Sequence, residues 1–260
     1  MVQAESETAA CMALRDELLG PLRKQTLSTE KLCEVGRLFC GAPERMSLYG
    51  VAAPHMEAGG VRVRGRTAVE CTIDEYAGEA ADAVALYAGN LREGSESDPL
   101  VVDLFCGSGN LGHHLGRRLG HRVHASELDP QVYETARDNL SRVGSGVEVE
   151  HTDYRHLIAR LGARTENDVY VVEPPWGDAV GAVGLDLTRT TPPVADILAD
   201  ILRARAGKSC VVVTKTTTET VCDSLRNAFR GAAHLCSFAP SAPGAGVEFH
   251  IFRLGATDQP

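Results

Sequence analysis

The sequence predicts an α/β fold in which a mostly parallel sheet carries helices on both faces. From residue 100 onward, short apolar segments rich in β-branched residues alternate with amphipathic segments, which is typical of repeated strand–helix units. The chain has 260 residues, of which 43% are hydrophobic, enough to bury a full α/β core. No apolar run approaches the roughly 18–20 residues that a membrane span requires, and the first residues do not resemble a secretory signal.

The segment before residue 100 has a different pattern. Apolar residues at three- and four-residue steps predict helical structure over 11–40, with a helix start at Ser28-Thr29-Glu30. Residues 41–70 contain Gly, Pro and short alternating runs, which predict loops with a small hairpin. A further helix is predicted over 74–91, where an acidic first turn suits the positive end of the helix dipole.

The remaining elements alternate in order. Strands are predicted at 100–105, 121–127, 147–153, 168–175 and 210–216. Helices are predicted at 109–120, 131–144, 155–162, 193–207 and 218–231. The last two strands, 234–240 and 247–255, should pair as an antiparallel edge. A parallel sheet of this kind binds ligands at the carboxyl ends of its strands.

Charge and cysteine usage narrow the class of protein. The formal net charge is −9, which disfavours nucleic-acid binding because phosphate backbones bind basic surfaces. One basic stretch, VRVRGR, puts Arg62, Arg64 and Arg66 at alternating positions; on a strand they would share one face, as gatekeeper charges of an exposed edge or as a phosphate clamp. The eight cysteines form no C-x-x-C pair and the nine histidines no HExxH motif, which indicates a cytoplasmic protein without a metal site.

The first strand of the predicted sheet runs into DLFCGSGNLG, whose Gly107, Gly109 and Gly112 match G-x-G-x-x-G. Glu127 lies 20 residues after Gly107, at the end of the second strand. Taken alone, this pattern could be a dinucleotide site, where an acid binds the ribose. Asp103 argues against it, because a carboxylate would oppose a pyrophosphate by roughly 1–4 kcal/mol at about 4 Å. A ligand with an ammonium group at that place would instead be attracted.

S-adenosylmethionine (SAM) is such a ligand, since it has an amino acid tail, a sulfonium, a ribose and an adenine, but no phosphate. Asp103 would face its ammonium group, directly or through water. The backbone of Gly107–Gly109, with Cys106 and Asn110 in the same loop, would follow the methionine part. Glu127 would accept hydrogen bonds from both ribose hydroxyls.

The adenine end of this ligand would lie near HTDY, at the end of the third strand. Asp153 is placed to accept from the adenine amino group, and Tyr154 could pack on the ring. The same two residues are also compatible with an ordinary helix start in which Asp153 is the N-cap.

The fourth strand ends in Glu173, Pro174, Pro175 and the chain's only tryptophan, Trp176. Because proline lacks an N–H, the carbonyls of Glu173 and Pro174 can face a pocket, and the indole offers a surface on which a planar acceptor can stack. Together they would accept hydrogen bonds from a planar nitrogen compound and hold it in line with a methyl donor. The structural alternative is a strand terminator followed by a core tryptophan.

The order DLFCGSGNLG, SELDP, HTDY, EPPWG resembles that of the class I SAM-dependent methyltransferases over residues 74–255. The glycine loop combined with PPW is most similar to amino-group methyltransferases, including the trimethylguanosine synthase-like enzymes. The resemblance implies a Rossmann-like sheet with a SAM-binding catalytic domain over 71–260, and leaves 1–70 as a helical cap that selects the substrate. It also makes Tyr76, in the helix before the glycine loop, a candidate SAM contact or alternatively a packing residue.

Two residues bear on the substrate. The families that this chain resembles usually have Asp, Asn or Ser where it has Glu173, and the extra methylene could draw the acceptor back or bind a cationic group. Lys215, at the end of the fifth strand, could pair with a substrate anion, or be a solvated loop lysine.

The sequence therefore predicts a SAM-dependent N-methyltransferase acting on a small planar heterocycle or specialised metabolite, with no metal. The alternative is an RNA guanine-N2 or adenine-N6 methyltransferase, in which Arg62, Arg64 and Arg66 would contact the RNA. An oxidoreductase that binds NADH is the rival from a different class.

Overall fold

A computed structural model describes residues 2–88, 98–181, 183–241 and 246–255, with the side chains of 2–7 and 222 left out. The first part of the described chain forms four α-helices and a small hairpin before helix α5. Their bounds are α1 Val2–Leu19, α2 Thr29–Cys40, β1 Ser47–Leu48, β2 Val51–Ala52, α3 Ala53–Met56, α4 Gly65–Glu70 and α5 Asp74–Ala88. Residues 89–91 of the predicted helix over 74–91 lie outside the described residues.

The predicted helical stretch over 11–40 is two helices, because Gly20-Pro21 interrupts it. The predicted start of the second helix is confirmed: Ser28 is its N-cap, and its side chain accepts from the backbone N–H of Lys31 at 3.3 Å. The predicted hairpin is β1–β2, whose turn residues Tyr49 and Gly50 both have positive φ, as a two-residue hairpin turn requires.

The later elements alternate as predicted. Strands and helices have the bounds β3 Val101–Asp103, α6 Asn110–Leu119, β4 Val123–Glu127, α7 Pro130–Arg142, β5 Val147–His151, α8 Tyr154–Leu161, β6 Val169–Val171, β7 Val180–Gly181, β8 Gly184–Leu185, α9 Val194–Ala204, β9 Cys210–Thr217, α10 Cys222–Ala228, β10 Ala233–Phe238 and β11 Val247–Leu254. The short β7–β8 hairpin was not predicted.

Within the described ranges, seven strands form one sheet in the order β10-β11-β9-β6-β3-β4-β5. The β5-β4-β3-β6-β9 part is parallel, whereas β11 runs antiparallel to both of its neighbours, β9 and β10. The last two strands therefore pair antiparallel as predicted, with β11 inserted inside β10. Numbered along the chain, the order is 3-2-1-4-5-7-6, which departs from the dinucleotide-binding order 3-2-1-4-5-6 by this inserted antiparallel strand.

Alternate residues of the central strands supply two hydrophobic cores, one on each face of the sheet. Val101, Val169 and Val211 belong to the core beneath α5, α6 and α7, which also takes in the apolar residues of α1 and α2. Val102 and Tyr170 belong to the core beneath α8, α9 and α10. This division follows from the two-residue period of a strand, and it makes the N-terminal segment part of one face of the molecule.

The basic stretch VRVRGR is not a strand, which corrects the prediction. Gly65 begins helix α4, and of the three arginines only Arg64 makes an isolated strand-like bridge, to Thr26. The reason is that this stretch packs against α7 instead of an open sheet edge: Arg62 and Arg64 each bond to a residue of that helix. None of the helices in the described part of the chain combines the length and apolarity needed to cross a membrane.

Candidate functional site

The predicted site residues meet at one edge of the sheet, where the parallel strands end. Asp103 is the last residue of β3, Glu127 the last of β4, and Glu173 follows β6 by two positions. Asp103 is in register with Val171 of β6 and with Ala125 of β4. The sheet therefore brings the glycine loop and the EPPW segment to adjacent strand ends.

The glycine loop is hydrogen-bonded to Glu127, the last residue of β4. Gly107 has φ 53° and Gly109 has φ 75°, left-handed values that favour glycine. The backbone N–H of Gly107 donates to Glu127 Oε2 at 3.1 Å, and the N–H of Asp129 donates to Oε1 at 2.7 Å. A Cβ at Gly112 would lie 3.3 Å from Asp103 Oδ2, so α6 begins close against β3.

Asp103 is buried, with 2% of its surface exposed. Burial, reinforced by the nearby carboxylates of Glu173 and Glu127, raises the pKa of Asp103 to about 8. Burial also raises the pKa of Glu127. For both carboxyl groups, the effect of burial on the pKa thus outweighs that of the positive groups nearby.

The side chains of two loop residues predicted to contact the cofactor are buried within the protein. Asn110 is fully buried; its Oδ1 accepts from the Tyr49 backbone N–H at 2.7 Å and its Nδ2 donates to the Thr72 carbonyl at 2.8 Å. The Cys106 thiol is buried, which raises its pKa well above the usual value, and its backbone N–H donates to Ser126. Asn110 ties the N-terminal segment to the loop, so its amide is already occupied.

Sequence reasoning missed Tyr49. Its ring is buried and its hydroxyl donates to the carbonyl of Ser108, inside the glycine loop. Its φ of 58° is uncommon for a residue with a side chain. The Tyr49-Gly50 pair at the predicted hairpin was the available signal, but nothing local indicates which loop such a tyrosine would contact.

The aromatic residues predicted beside SAM are both buried. Tyr154 is 3% exposed, its hydroxyl donates to Asp200 at 2.7 Å, and its ring lies 5.0 Å from that of Phe105 within the core under α8. These contacts agree with the alternative of an ordinary helix start, and the packing of Tyr154 on adenine stays a prediction. Tyr76 is 8% exposed and belongs to the core under α5, in agreement with the packing alternative.

Asp153 is the N-cap of α8, as one of its two interpretations expected, and accepts from the Arg155 N–H at 2.8 Å. Its side chain is 33% exposed, and its Oδ2 lies 3.6 Å from Arg155 Nη1. Leu128 is a second missed residue. It follows Glu127 and is 65% exposed, which makes it an apolar surface beside the acid.

The EPPW segment holds Glu173 against two polar partners. Glu173 Oε2 lies 3.1 Å from Lys215 Nζ and accepts from Thr72 Oγ1 at 3.4 Å. Its other oxygen, Oε1, is buried and has no hydrogen-bond partner among the described residues. Pro174 is buried and Pro175 is exposed.

Trp176 is partly buried and packs against the core under α8, α9 and α10, with Lys215 Nζ 5.8 Å from its ring centroid. One part of the indole therefore packs in the core and another part is exposed, which is compatible with both a core tryptophan and a stacking surface.

Lys215 is not a solvated loop residue, which corrects that interpretation of the sequence. It lies within β9, and its side chain is 8% exposed. Besides the ion pair with Glu173, its ammonium donates to Thr72 Oγ1 at 2.7 Å and to the Glu70 carbonyl at 3.3 Å. A lysine that pairs with a carboxylate and two neutral oxygens can be held inside the protein.

The arginines of the predicted RNA contact are also engaged. Arg62 forms an ion pair with Asp138 at 2.7 Å. Arg64 donates to the Gln131 carbonyl, to Thr135 and to the Lys24 carbonyl. Arg66 pairs with Glu70 at 2.6 Å. The contacts of Arg62 with Asp138 and of Arg64 with Gln131 and Thr135 join the N-terminal segment to α7.

Comparisons with known proteins give one matching family model and several distant structural likenesses. The model of a family described as Conserved hypothetical protein 95 matches residues 86–192. No curated protein matches the chain. Among solved structures, similar chains include the precorrin-6y C5,15-methyltransferase of Geobacter metallireducens, with TM-score 0.47, 14% identity and coverage of 71% of this chain and 88% of that one. A TehB-like SAM-dependent methyltransferase of Corynebacterium glutamicum has TM-score 0.42 and 19% identity, with coverage of 68% and 85%.

A mutant of MtNAS in complex with SAM is also similar, with TM-score 0.43, 20% identity and coverage of 60% of this chain. This chain spans 55% of the length of that protein. The strand order of the sheet, with its inserted antiparallel strand, identifies the fold. The chain has the class I methyltransferase fold.

Proposed function

We propose that this chain is a SAM-dependent N-methyltransferase that acts on a nitrogen of a small planar heterocyclic or specialised-metabolite substrate. The observation that carries the proposal is the juxtaposition of two kinds of group at adjacent strand ends. One is the Asp103–glycine loop–Glu127 arrangement after β3 and β4, and the other is the EPPW segment after β6.

The donor side suits the parts of SAM. Asp103 would pair with the ammonium group, and Glu127, whose oxygens already accept two backbone N–H groups, would turn one oxygen to the ribose. The exposed side chain of Leu128 and the partly exposed carboxylate of Asp153 would contact the adenine. When bound, SAM supplies an electrophilic methyl group.

The acceptor side suits a flat compound that carries an N–H. The unpartnered Glu173 Oε1 would accept a hydrogen bond from the reacting nitrogen, together with the carbonyl of Pro174. Trp176 would stack on the ring, worth about 1–3 kcal/mol, with the exposed Pro175 beside it. Such positioning can supply roughly 7–11 kcal/mol of the barrier. Glu173 Oε1 would then hold the proton that the nitrogen releases.

We further propose that residues 1–70 act as a substrate-selecting cap on the catalytic domain 71–260. Support comes from the contacts of Tyr49 with Ser108 and Asn110, and from the approach of Glu70 to Lys215. The cap would thus reach both the donor and the acceptor side.

No observation favours RNA as the substrate over a small molecule. The net charge is −9, and the arginines at 62, 64 and 66 are bonded within the protein. The described cysteines other than Cys222 are free thiols, in keeping with the cytoplasmic location that we propose.

Two measurements test the function. S-adenosylhomocysteine, the product form of the donor, should raise the melting temperature, whereas NADH should not. In a methyl-transfer assay with a panel of purine-like amines, Trp176→Ala and Glu173→Ala should abolish turnover and leave donor affinity nearly unchanged. Asp178→Ala, an exposed neighbour, is the control. Loss of donor binding in the Trp176 and Glu173 variants would mean that the two sides are assigned wrongly.

A further inference from the structure

The acceptor side of the site contains a charge that is already matched. Lys215 has three N–H groups, and three oxygens lie around them: Glu173 Oε2 at 3.1 Å, Thr72 Oγ1 at 2.7 Å and the Glu70 carbonyl at 3.3 Å. An ammonium group has no further donor to offer. Lys215 therefore has no N–H group left for a substrate anion, and its positive charge balances that of Glu173.

The unpartnered oxygen of the same carboxylate is the part left for a ligand. Glu173 Oε2 faces Lys215 and Thr72, whereas Oε1 is buried and has no hydrogen-bond partner in the described part of the chain. A buried acceptor without a partner is costly, and a ligand N–H would satisfy it. Because Lys215 cancels the charge of the carboxylate, that ligand has no need to be a cation.

We infer that Lys215 is a specificity residue that restricts the acceptor slot to uncharged planar compounds carrying an N–H, and excludes amidines and other planar cations. The inference rests on the proposed function and adds the charge class of its substrate. A cationic acceptor would meet the Lys215 ammonium, which already balances the single carboxylate Glu173. A like-charge contact of this kind beside a buried carboxylate is unfavourable.

Trp176 allows the slot to be observed without turnover, because it is the only tryptophan of the chain and lies 5.8 Å from Lys215 Nζ. The protein is saturated with S-adenosylhomocysteine and titrated with adenine, a neutral planar amine, or with benzamidine, a planar cation of similar size. From the change in Trp176 fluorescence, wild type should bind adenine about tenfold or more tightly than benzamidine.

Variants that change the charge at Lys215 test whether this residue determines the preference for adenine over benzamidine. Lys215→Met should invert the preference, because Glu173 is then an unmatched anion, and Lys215→Arg should keep it. The double variant Lys215→Met with Glu173→Gln, which is again uncharged, should return to the wild-type order. Lys208→Met removes an exposed lysine beyond the opposite end of β9 and should change nothing.

The inference is overturned if wild type binds benzamidine as well as adenine, if neither probe changes Trp176 emission, or if Lys215→Met keeps the wild-type order. Should Lys215→Met fail to fold, the single variant Glu173→Gln decides the matter: it leaves Lys215 uncompensated and must exclude benzamidine further. Failure of S-adenosylhomocysteine itself to bind would count against the proposed function, and is seen separately from either probe.

Discussion

The titration of Asp103 leads to a quantitative prediction for donor binding. With a pKa of about 8, about nine-tenths of the Asp103 carboxyls carry a proton at pH 7. A bound ammonium group would favour the ionised form, so complex formation should release a proton. Affinity therefore rises with pH below the pKa and levels off above it. Between about pH 6 and pH 8 the ionised fraction grows about 50-fold, or about 2.3 kcal/mol.

The assay is calorimetric titration with S-adenosylhomocysteine over this pH range, repeated in two buffers that differ in ionisation enthalpy so that released protons are counted. Wild type should release close to one proton near pH 7. Asp103→Asn should bind weakly and without this pH dependence, whereas Asp153→Asn, which removes a partly exposed carboxylate, should keep it. A flat affinity profile in wild type, or an undiminished slope in Asp103→Asn, would refute the reasoning.

The same carboxyl acts on stability with the opposite sign. In the empty folded protein Asp103 holds its proton up to about pH 8, whereas an unfolded aspartate loses it near the ordinary value of 3.8. The folded state therefore binds more protons throughout this window, and stability falls as pH rises through it. Asp103→Asn should accordingly raise the melting temperature of the empty protein at pH 8, while weakening donor binding.

Three further substitutions test individual contacts. Gly184→Ala should lower stability by about 3 kcal/mol or more, measured by urea unfolding, since the added Cβ would lie 1.6 Å from the Glu219 carbonyl oxygen; unchanged stability would contradict the packing of the β7–β8 hairpin. Asp168→Asn should cost about 3–5 kcal/mol in the same experiment, because it leaves Arg205, fully buried in an ion pair, without its partner; a loss below about 1 kcal/mol would argue that this pair is solvated. Tyr49→Phe should lower the free energy of unfolding by about 1 kcal/mol and weaken S-adenosylhomocysteine binding, because the Tyr49 hydroxyl bonds to the glycine loop. Unchanged affinity in calorimetry would show that this hydrogen bond does not contribute to donor binding.

The sheet and the donor loop could be predicted from sequence because they depend on local rules. Strand and helix periods identify the alternating elements, and the parallel arrangement then places Asp103 and Glu127 at adjacent strand ends. The contact between Gly107 and Glu127 at 3.1 Å follows from that arrangement. The Ser28 cap was predictable for the same reason, since its partner Lys31 is three residues away.

The contacts that complete the site join residues far apart in the chain. Thr72 and Lys215 are separated by 143 positions, and Tyr49 and Ser108 by 59. A lysine at a strand end is usually solvated, so only the approach of the 70–72 segment could reveal that Lys215 is buried. The alternating arginines of VRVRGR failed as a strand signal because alternation does not specify a partner, and α7 supplied one.

The charges at the strand ends explain why a cationic donor suits this site and a dinucleotide does not. Asp103, Glu127 and Glu173 share one buried ammonium group, that of Lys215, and its three donors are directed at Glu173 and two neutral oxygens. For the carboxyls that end β3 and β4, burial outweighs the nearby positive groups, Lys215 for Asp103 and Arg66 for Glu127, and raises the pKa of both. A pyrophosphate at the glycine loop would favour the protonated form of Asp103, and wherever the carboxyl is ionised the two would oppose each other by roughly 1–4 kcal/mol at about 4 Å. A ligand with an ammonium group and a sulfonium favours the ionised form instead, so the glycine loop alone does not decide between the two ligands, whereas Asp103 does.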